Sequence, residues 1–275
     1  PVAAWVWGGG WIMNLGDLLG GLPGVIDYAG GTAVHINAGA AALALSIVLG
    51  RRVVFRKGAH KPHNVPLVLL GAALLWFGWF GFNAGAEFLA EGMPGVGLIV
   101  VNTLGATAAA ILGWMIVEKL KDGKATAVGA ASGAVAGLVA ITPACANLTP
   151  GFALVLGVVA GVVSALAVDW KFKLGYDDSL DVVGLHLVSG LIGTLFLGFF
   201  AIDTGLFTGG DFGQLTVQAI AAFAVLIYSF VVALVLGFAI EKTMGFRITS
   251  EDEVAGIDTI VHGEEGYQLE EDARV

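Results

Sequence analysis

Charge is scarce in this 275-residue chain: Asp, Glu, Lys and Arg make up 13% of it, and only 13 residues are basic. Soluble globular domains carry about a quarter of their residues as charges, so an ordinary water-facing surface is excluded. Cysteine occurs once, at Cys145, which rules out an intrachain disulfide and reads as a packing residue in an apolar run. The alternating ten-residue segments of a transmembrane β-barrel are absent. An initiator Met and a signal-peptide pattern are missing too. The chain opens on Pro1, and the expectation is a fragment or processed form of a longer protein. No polar linker interrupts the sequence before residue 248, so the apolar part is expected to be one domain.

What is abundant is apolar. Hydrophobic residues reach 57% and the mean hydropathy is +0.87. Apolar runs fall at 30–50, 66–90, 97–118, 125–142, 151–170, 181–202 and 214–241, and a helix needs about 20 residues to cross the hydrocarbon core. The expected fold is therefore an all-α polytopic membrane helix bundle with about seven transmembrane helices. Glycine, 42 residues in all, lies inside these runs as well as between them. Gly129, Gly133 and Gly137 recur every four residues, giving the fourth span a smooth face for close helix packing.

The basic residues set an orientation. Arg51, Arg52, Arg56, Lys57 and Lys61 follow the first span; Lys119, Lys121 and Lys124 the third; Lys171 and Lys173 the fifth; Lys242 and Arg247 the seventh. The alternate connections, around "EGMPG", "TPACANLTP" and "DTGLFTGGDFG", carry none. Because Lys and Arg near span ends stay in the cytoplasm, residues 1–29 are expected outside and the C-terminal tail inside. The chain divides into a transmembrane part, 1–247, and an acidic tail, 248–275. Residues 249–275 hold nine of the 22 acids and one Arg, which argues against nucleic acid or an anionic lipid surface as a partner. The segment "GIDTIVHGEEGY" mixes apolar residues, Gly and His, unlike a plain solvating tail.

Ionisable groups at membrane depth are costly and usually functional, and only His35 and His186 lie deep in spans. Asp27 precedes His35 by eight residues, as Asp178 precedes His186. The first span runs inward and the sixth outward, so both histidines fall near mid-membrane, as an inverted repeat of five spans gives. One buried His is commonly a satisfied interhelical hydrogen bond; two at matched depth point to a polar track for a proton or a small solute. Two His without nearby Cys or carboxylate make a poor metal site. Asp27 reads first as a helix cap, with an electrostatic pull on a cation as a second contribution, and Asp177, Asp178 and Asp181 as caps on the inner side of the sixth span. Trp5, Trp7 and Trp11 read as interfacial anchors. Trp79, Phe82 and Ala86 share a helical face, and with Trp7 and Asp27 they form a candidate vestibule where aromatic rings hold a small cation. Asn37 is expected to be a packing residue.

Taken in order, "DYAGGTAVHINAG", "KPHN", "WFGFNAG", "VVNTLGATAAAILGW", "GAVAGLVAITPAC", "DDSLDVVGLHLVSG" and "DTIVHGEEGY" resemble the ammonium transporter family, Amt with its Mep and Rhesus relatives, from Trp7 to about Tyr267. The resemblance implies eleven helices built as a five-plus-five inverted repeat with one extra, of which this chain matches helices five to eleven. It also implies a homotrimer with a pore in each subunit, in the cell membrane, with no cofactor and no enzymatic activity. His35 and His186 take the places of the twin pore histidines, Trp7 of the external recruitment Trp, Asp27 of the structural acid beside it, and Phe82 of the inner Phe gate. Ala86 stands where the family often has a Ser that contacts ammonium, which weakens the expectation of a tight external site but not that of the pore. A PII-type signalling protein is the partner the resemblance implies, at the basic loop from Arg51 to Lys61 and the tail. The readings left open are an ammonium transporter, an ammonium sensor, and a Rhesus-type neutral ammonia channel.

Overall fold

The computed structural model describes residues 1–55, 62–89 and 94–266. Arg56, Lys57, His60, Lys61, most of "EGMPG" and the tail from Tyr267 onward lie outside them.

Two short helices, α1 (Val2–Trp7) and α2 (Leu15–Leu18), precede the first long one. That helix begins as a π-helical turn, Gly31–Ile36, and continues as α3 (Asn37–Leu49). Then follow α4 (Val65–Ala84) with a 3₁₀ turn, Gly85–Leu89, and α5 (Val96–Asp122), α6 (Ala127–Ile141), α7 (Pro150–Ala167) and the short α8 (Trp170–Leu174). A second π turn, Val183–Val188, opens α9 (Ser189–Phe200); α10 (Phe212–Thr243), α11 (Ser250–Ala255) and a third π turn, Asp258–His262, complete the order.

Among the described residues, six helices are long and apolar enough to cross a membrane: Gly31–Leu49, Val65–Glu87, Val96–Asp122, Pro150–Leu174, Val183–Phe200 and Phe212–Thr243. The remaining expected span, 125–142, forms a shorter apolar helix of 15 residues, α6. Capping residues fix several starts: Asn64 accepts from the Leu67 N–H, Thr126 from Gly129 and Asp211 from Gly213.

Helix α6 lies at the centre, packed on α4, α5, α7 and α9. It sits this close because its neighbours meet small residues. A methyl group on Gly133 or Gly137 would press into Ile111, Ala110 and Ala106 of α5. On α7, Gly157 and Gly161 lie directly against the backbone carbonyls of Ala106 and Ala110. Helix–helix contact in lipid depends on such fits rather than on water exclusion, and Cys145 is buried in the same core.

The two π turns cross each other. Gly39 lies against Leu187 and Gly190 against His35 and Ile36, so one segment rises as the other falls and the pair is antiparallel. The acids before them act alike. Asp27 accepts a hydrogen bond from the N–H of Thr32 and Asp178 from that of Val183, five residues on in both cases. This repeated arrangement on two opposed segments is the inverted symmetry that the His spacing anticipates.

Candidate functional site

The crossing brings His35 and His186 together. Their Nδ1 atoms are 3.2 Å apart and their ring centroids 5.3 Å. Two protonated nitrogens cannot face each other at that distance, so a single proton is shared between them and one ring donates while the other accepts. His35 is 2% exposed, and its Nε2 has no partner among the described residues. π-helical turns inside α-helices occur frequently at functional sites, and here each one carries a histidine.

A cavity of about 620 Å³ runs beside the pair, walled by Val34, Ala38, Leu74, Leu75, Trp79 and Phe82 together with the two imidazoles. Apart from His35, His186 and the Trp79 indole, these side chains have no polar group. Trp79 stacks on His35 with centroids 5.5 Å apart and 15° between planes, and Phe82 stands 6.1 Å from the same imidazole. The indole of Trp79 donates to the Thr142 hydroxyl at 2.9 Å. Gly71 and Gly78 leave the α4 wall open where a side chain would narrow it.

Asp27 is buried at 5% exposure, with both carboxylate oxygens turned to the backbone. They accept from the N–H groups of Gly30, Gly31, Thr32 and Ala33 and from the Thr32 hydroxyl. The carboxylate thus closes the start of the His35 π turn, a cap spread over four donors rather than a group facing the exterior. Trp7 is 45% exposed and spends its indole N–H on the Asp27 carbonyl at 2.8 Å. Ala86 falls in the 3₁₀ turn after α4 ends, so the shared helical face expected for Trp79, Phe82 and Ala86 is broken there. Trp79 sits against His35 inside the cavity rather than at an outer vestibule.

On the opposite side, Asp178 is buried as the counterpart cap. Asp181 takes a positive φ of 58° and pairs with Lys171, which also donates to the Asp178 carbonyl. Asp177 forms a two-pronged pair with Arg52, at 2.8 and 2.7 Å, and accepts from the Arg52 N–H. Burial pushes the Asp177 carboxyl upward, but these hydrogen bonds and the Arg52 charge outweigh it and leave it below its ordinary value. The first tail helix docks nearby. Glu253 accepts from the Val53 N–H and pairs with Arg247, which donates to the Leu49 carbonyl at 2.8 Å.

The sequence model described as the Ammonium Transporter Family matches residues 1–267. The chain belongs to the ammonium transporter family. It is 52% identical over 289 residues to an ammonium transporter of Mycobacterium tuberculosis (strain H37Rv), covering 98% of this chain and 59% of that protein. It is 43% identical over 277 residues to one of Bacillus subtilis, covering 98% and 65%. Among solved structures, a sensor Amt protein superposes with a TM-score of 0.83 at 30% identity, covering 94% of this chain and 65% of that one. Candida albicans Mep2 gives 0.80 at 34%, covering 92% and 57%. The chain therefore spans about six tenths of the length of the ammonium transporters it matches.

Four residues contribute to this Amt-type site through bonds that nothing local in the sequence marks: Gln214, Gln218, Asn37 and Thr142. Gln218 grips Ile26 through both its N–H and its carbonyl, at 2.8 Å each, and Gln214 donates to the Gly24 carbonyl. They read as polar residues of an apolar helix 190 positions away, and nothing local reveals their target. Asn37 donates to the Ala33 carbonyl at 3.2 Å, so its amide serves the π turn as well as packing. Thr142 reads as the residue where a helix stops before Pro143.

Proposed function

We propose that the full-length protein carries ammonium nitrogen across the cell membrane through the cavity beside His35 and His186. The observation that carries the reading is the pair itself: two imidazoles joined through one shared proton, His35 buried and His186 half-buried, beside a cavity otherwise lined by apolar side chains. Moving an ammonium-sized cation from water into such surroundings costs several kcal/mol even after relaxation, whereas neutral ammonia escapes most of that cost. Ammonium is captured at the outer face near Trp7 and gives its proton to the histidine pair; ammonia passes along the imidazoles, the proton crosses through the same pair, and the two recombine inside, so one positive charge moves with each ammonium. The unpartnered Nε2 of His35 is the atom placed to hydrogen-bond the passing molecule. Potassium has no proton to give up, so the cavity rejects it.

In this reading Asp27 and Asp178 hold the two π turns in place, Phe82 and Trp79 form the wall above the pair, and Ala86 leaves the outer site without a hydroxyl. Residues 1–247 form the membrane domain and 248–275 the cytoplasmic tail. The protein is a homotrimer in a lipid bilayer, and a PII-type regulator docks on the cytoplasmic side.

Solid-supported membrane electrophysiology on the full-length protein tests the reading. Ammonium and methylammonium pulses are expected to give currents and potassium none. Uptake of ammonium without any current favours a neutral ammonia channel, and neither uptake nor current favours a sensor. A potassium current equal to that of ammonium contradicts the account.

A further inference from the structure

Thr142 has a second connection that the pore reading does not use. The residue is fully buried at the end of α6, where its hydroxyl does two things at once. It accepts from the Trp79 indole at 2.9 Å and donates to the Leu138 carbonyl at 2.7 Å. Its backbone carbonyl meanwhile accepts from the Ala29 N–H at 3.2 Å, and that of Pro143 accepts from Tyr28 at 3.1 Å. Gly31 packs on the Pro143 ring. The same corner therefore touches His35 from two directions: through Trp79, which lies flat against the imidazole, and through the Asp27–Gly31 segment, which starts the π turn carrying His35.

We propose that Thr142 is a positioning residue of the pore. Its hydroxyl sets the angle of the Trp79 ring over His35, and its main chain ties that ring to the segment holding Asp27. The inference rests on the pore reading above. An indole with its N–H satisfied by a fixed acceptor has one resting orientation. Without that acceptor, the N–H is left unpaired in a buried site and the ring turns to find another partner. Since Trp79 also packs on Phe82, with centroids 5.4 Å apart, a turned indole shifts the narrow wall on both sides of His35. Small misplacements of this kind cost large factors in rate when a reacting group must be held in one geometry.

The test uses Thr142→Val, which keeps the shape and removes the hydroxyl, and Thr142→Ser, which keeps the hydroxyl. Both are made in the full-length protein and reconstituted in proteoliposomes. Thr142→Val is expected to lower the maximal ammonium transport rate about tenfold while the half-saturation concentration moves less than about twofold. Thr142→Ser restores the rate. The indole N–H resonance of Trp79 in ¹⁵N-labelled protein, assigned by its loss in Trp79→Phe, is expected to shift in Thr142→Val and return in Thr142→Ser. A wild-type rate in folded Thr142→Val overturns the proposal, whether or not the resonance moves. Should Thr142→Val fail to fold, Trp79→Phe decides: a loss of about tenfold supports the role, and a wild-type rate overturns it. The resonance reports the Trp79–Thr142 contact even if the wild-type protein moves no ammonium, so failure of the pore reading is distinguishable from failure of this one.

Discussion

His35 and His186 stand 151 residues apart in sequence and meet Nδ1 to Nδ1 at 3.2 Å, each on a π turn started by an acid eight residues earlier. The acids are not equivalent in reach. Asp27 takes four backbone N–H groups and the Thr32 hydroxyl, whereas Asp178 takes the Val183 N–H. The load on Asp27 makes it the more sensitive position.

Replacing Asp27 by Ala strands several buried donors, each costing about 1–3 kcal/mol when unpaired. The expected result is a midpoint of thermal unfolding lower by roughly 10 °C or more in purified full-length protein. Asp27→Asn keeps one acceptor oxygen, turns amide hydrogens toward the remaining donors, and gives a smaller loss. Scanning fluorimetry of both variants checks the order, and an unchanged midpoint for Asp27→Ala contradicts the capping role.

Close helix contact gives a second expectation. A methyl group on Gly161 would overlap the carbonyl of Ala110 on α5, while Gly151, at the start of the same helix, has open space around it. Gly161→Ala is expected to destabilise the protein by about 1–3 kcal/mol, and Gly151→Ala by no more than about 0.5 kcal/mol. Parallel denaturation of the two single variants measures the difference. Equal effects would show that the α5–α7 contact is not close-packed.

The Arg52–Asp177 pair predicts a pH dependence with a definite sign. The Asp177 carboxyl lies below its ordinary value in the folded protein, so the pair stabilises the fold above the unfolded value of 3.8. That contribution is lost as pH falls through the depressed folded value. The difference in unfolding midpoint between wild type and Asp177→Asn is therefore constant from pH 8 to 5 and shrinks below about pH 4. Arg52 is one-third exposed, so salt screens part of the effect. A difference that grows on acidification contradicts the pairing.

Much of this arrangement is written locally. Apolar runs of membrane length, basic residues at alternate ends and the matched Asp-to-His spacing lead from sequence to a bundle with a histidine pair at its crossing. The π turns are not written there, because one additional residue per turn is settled by which carbonyl a given N–H reaches. The cap on Asp27 depends on the chain folding back over four successive donors, and the register of Ala86 on α4 ending at Ala84 rather than continuing through the run. Trp79 illustrates the same limit. Its place in "WFGFNAG" marks it as aromatic wall, but that its N–H ends on Thr142, 63 positions later, follows only from how α6 stops beside α4.

The most direct test of the central claim is ammonium transport by the full-length protein carrying His35→Ala and His186→Ala together, measured as uptake and current in proteoliposomes beside wild type. If the paired imidazoles carry the passing molecule, both signals fall at least about tenfold while the protein remains folded. Uptake and current retained at the wild-type level would contradict the account.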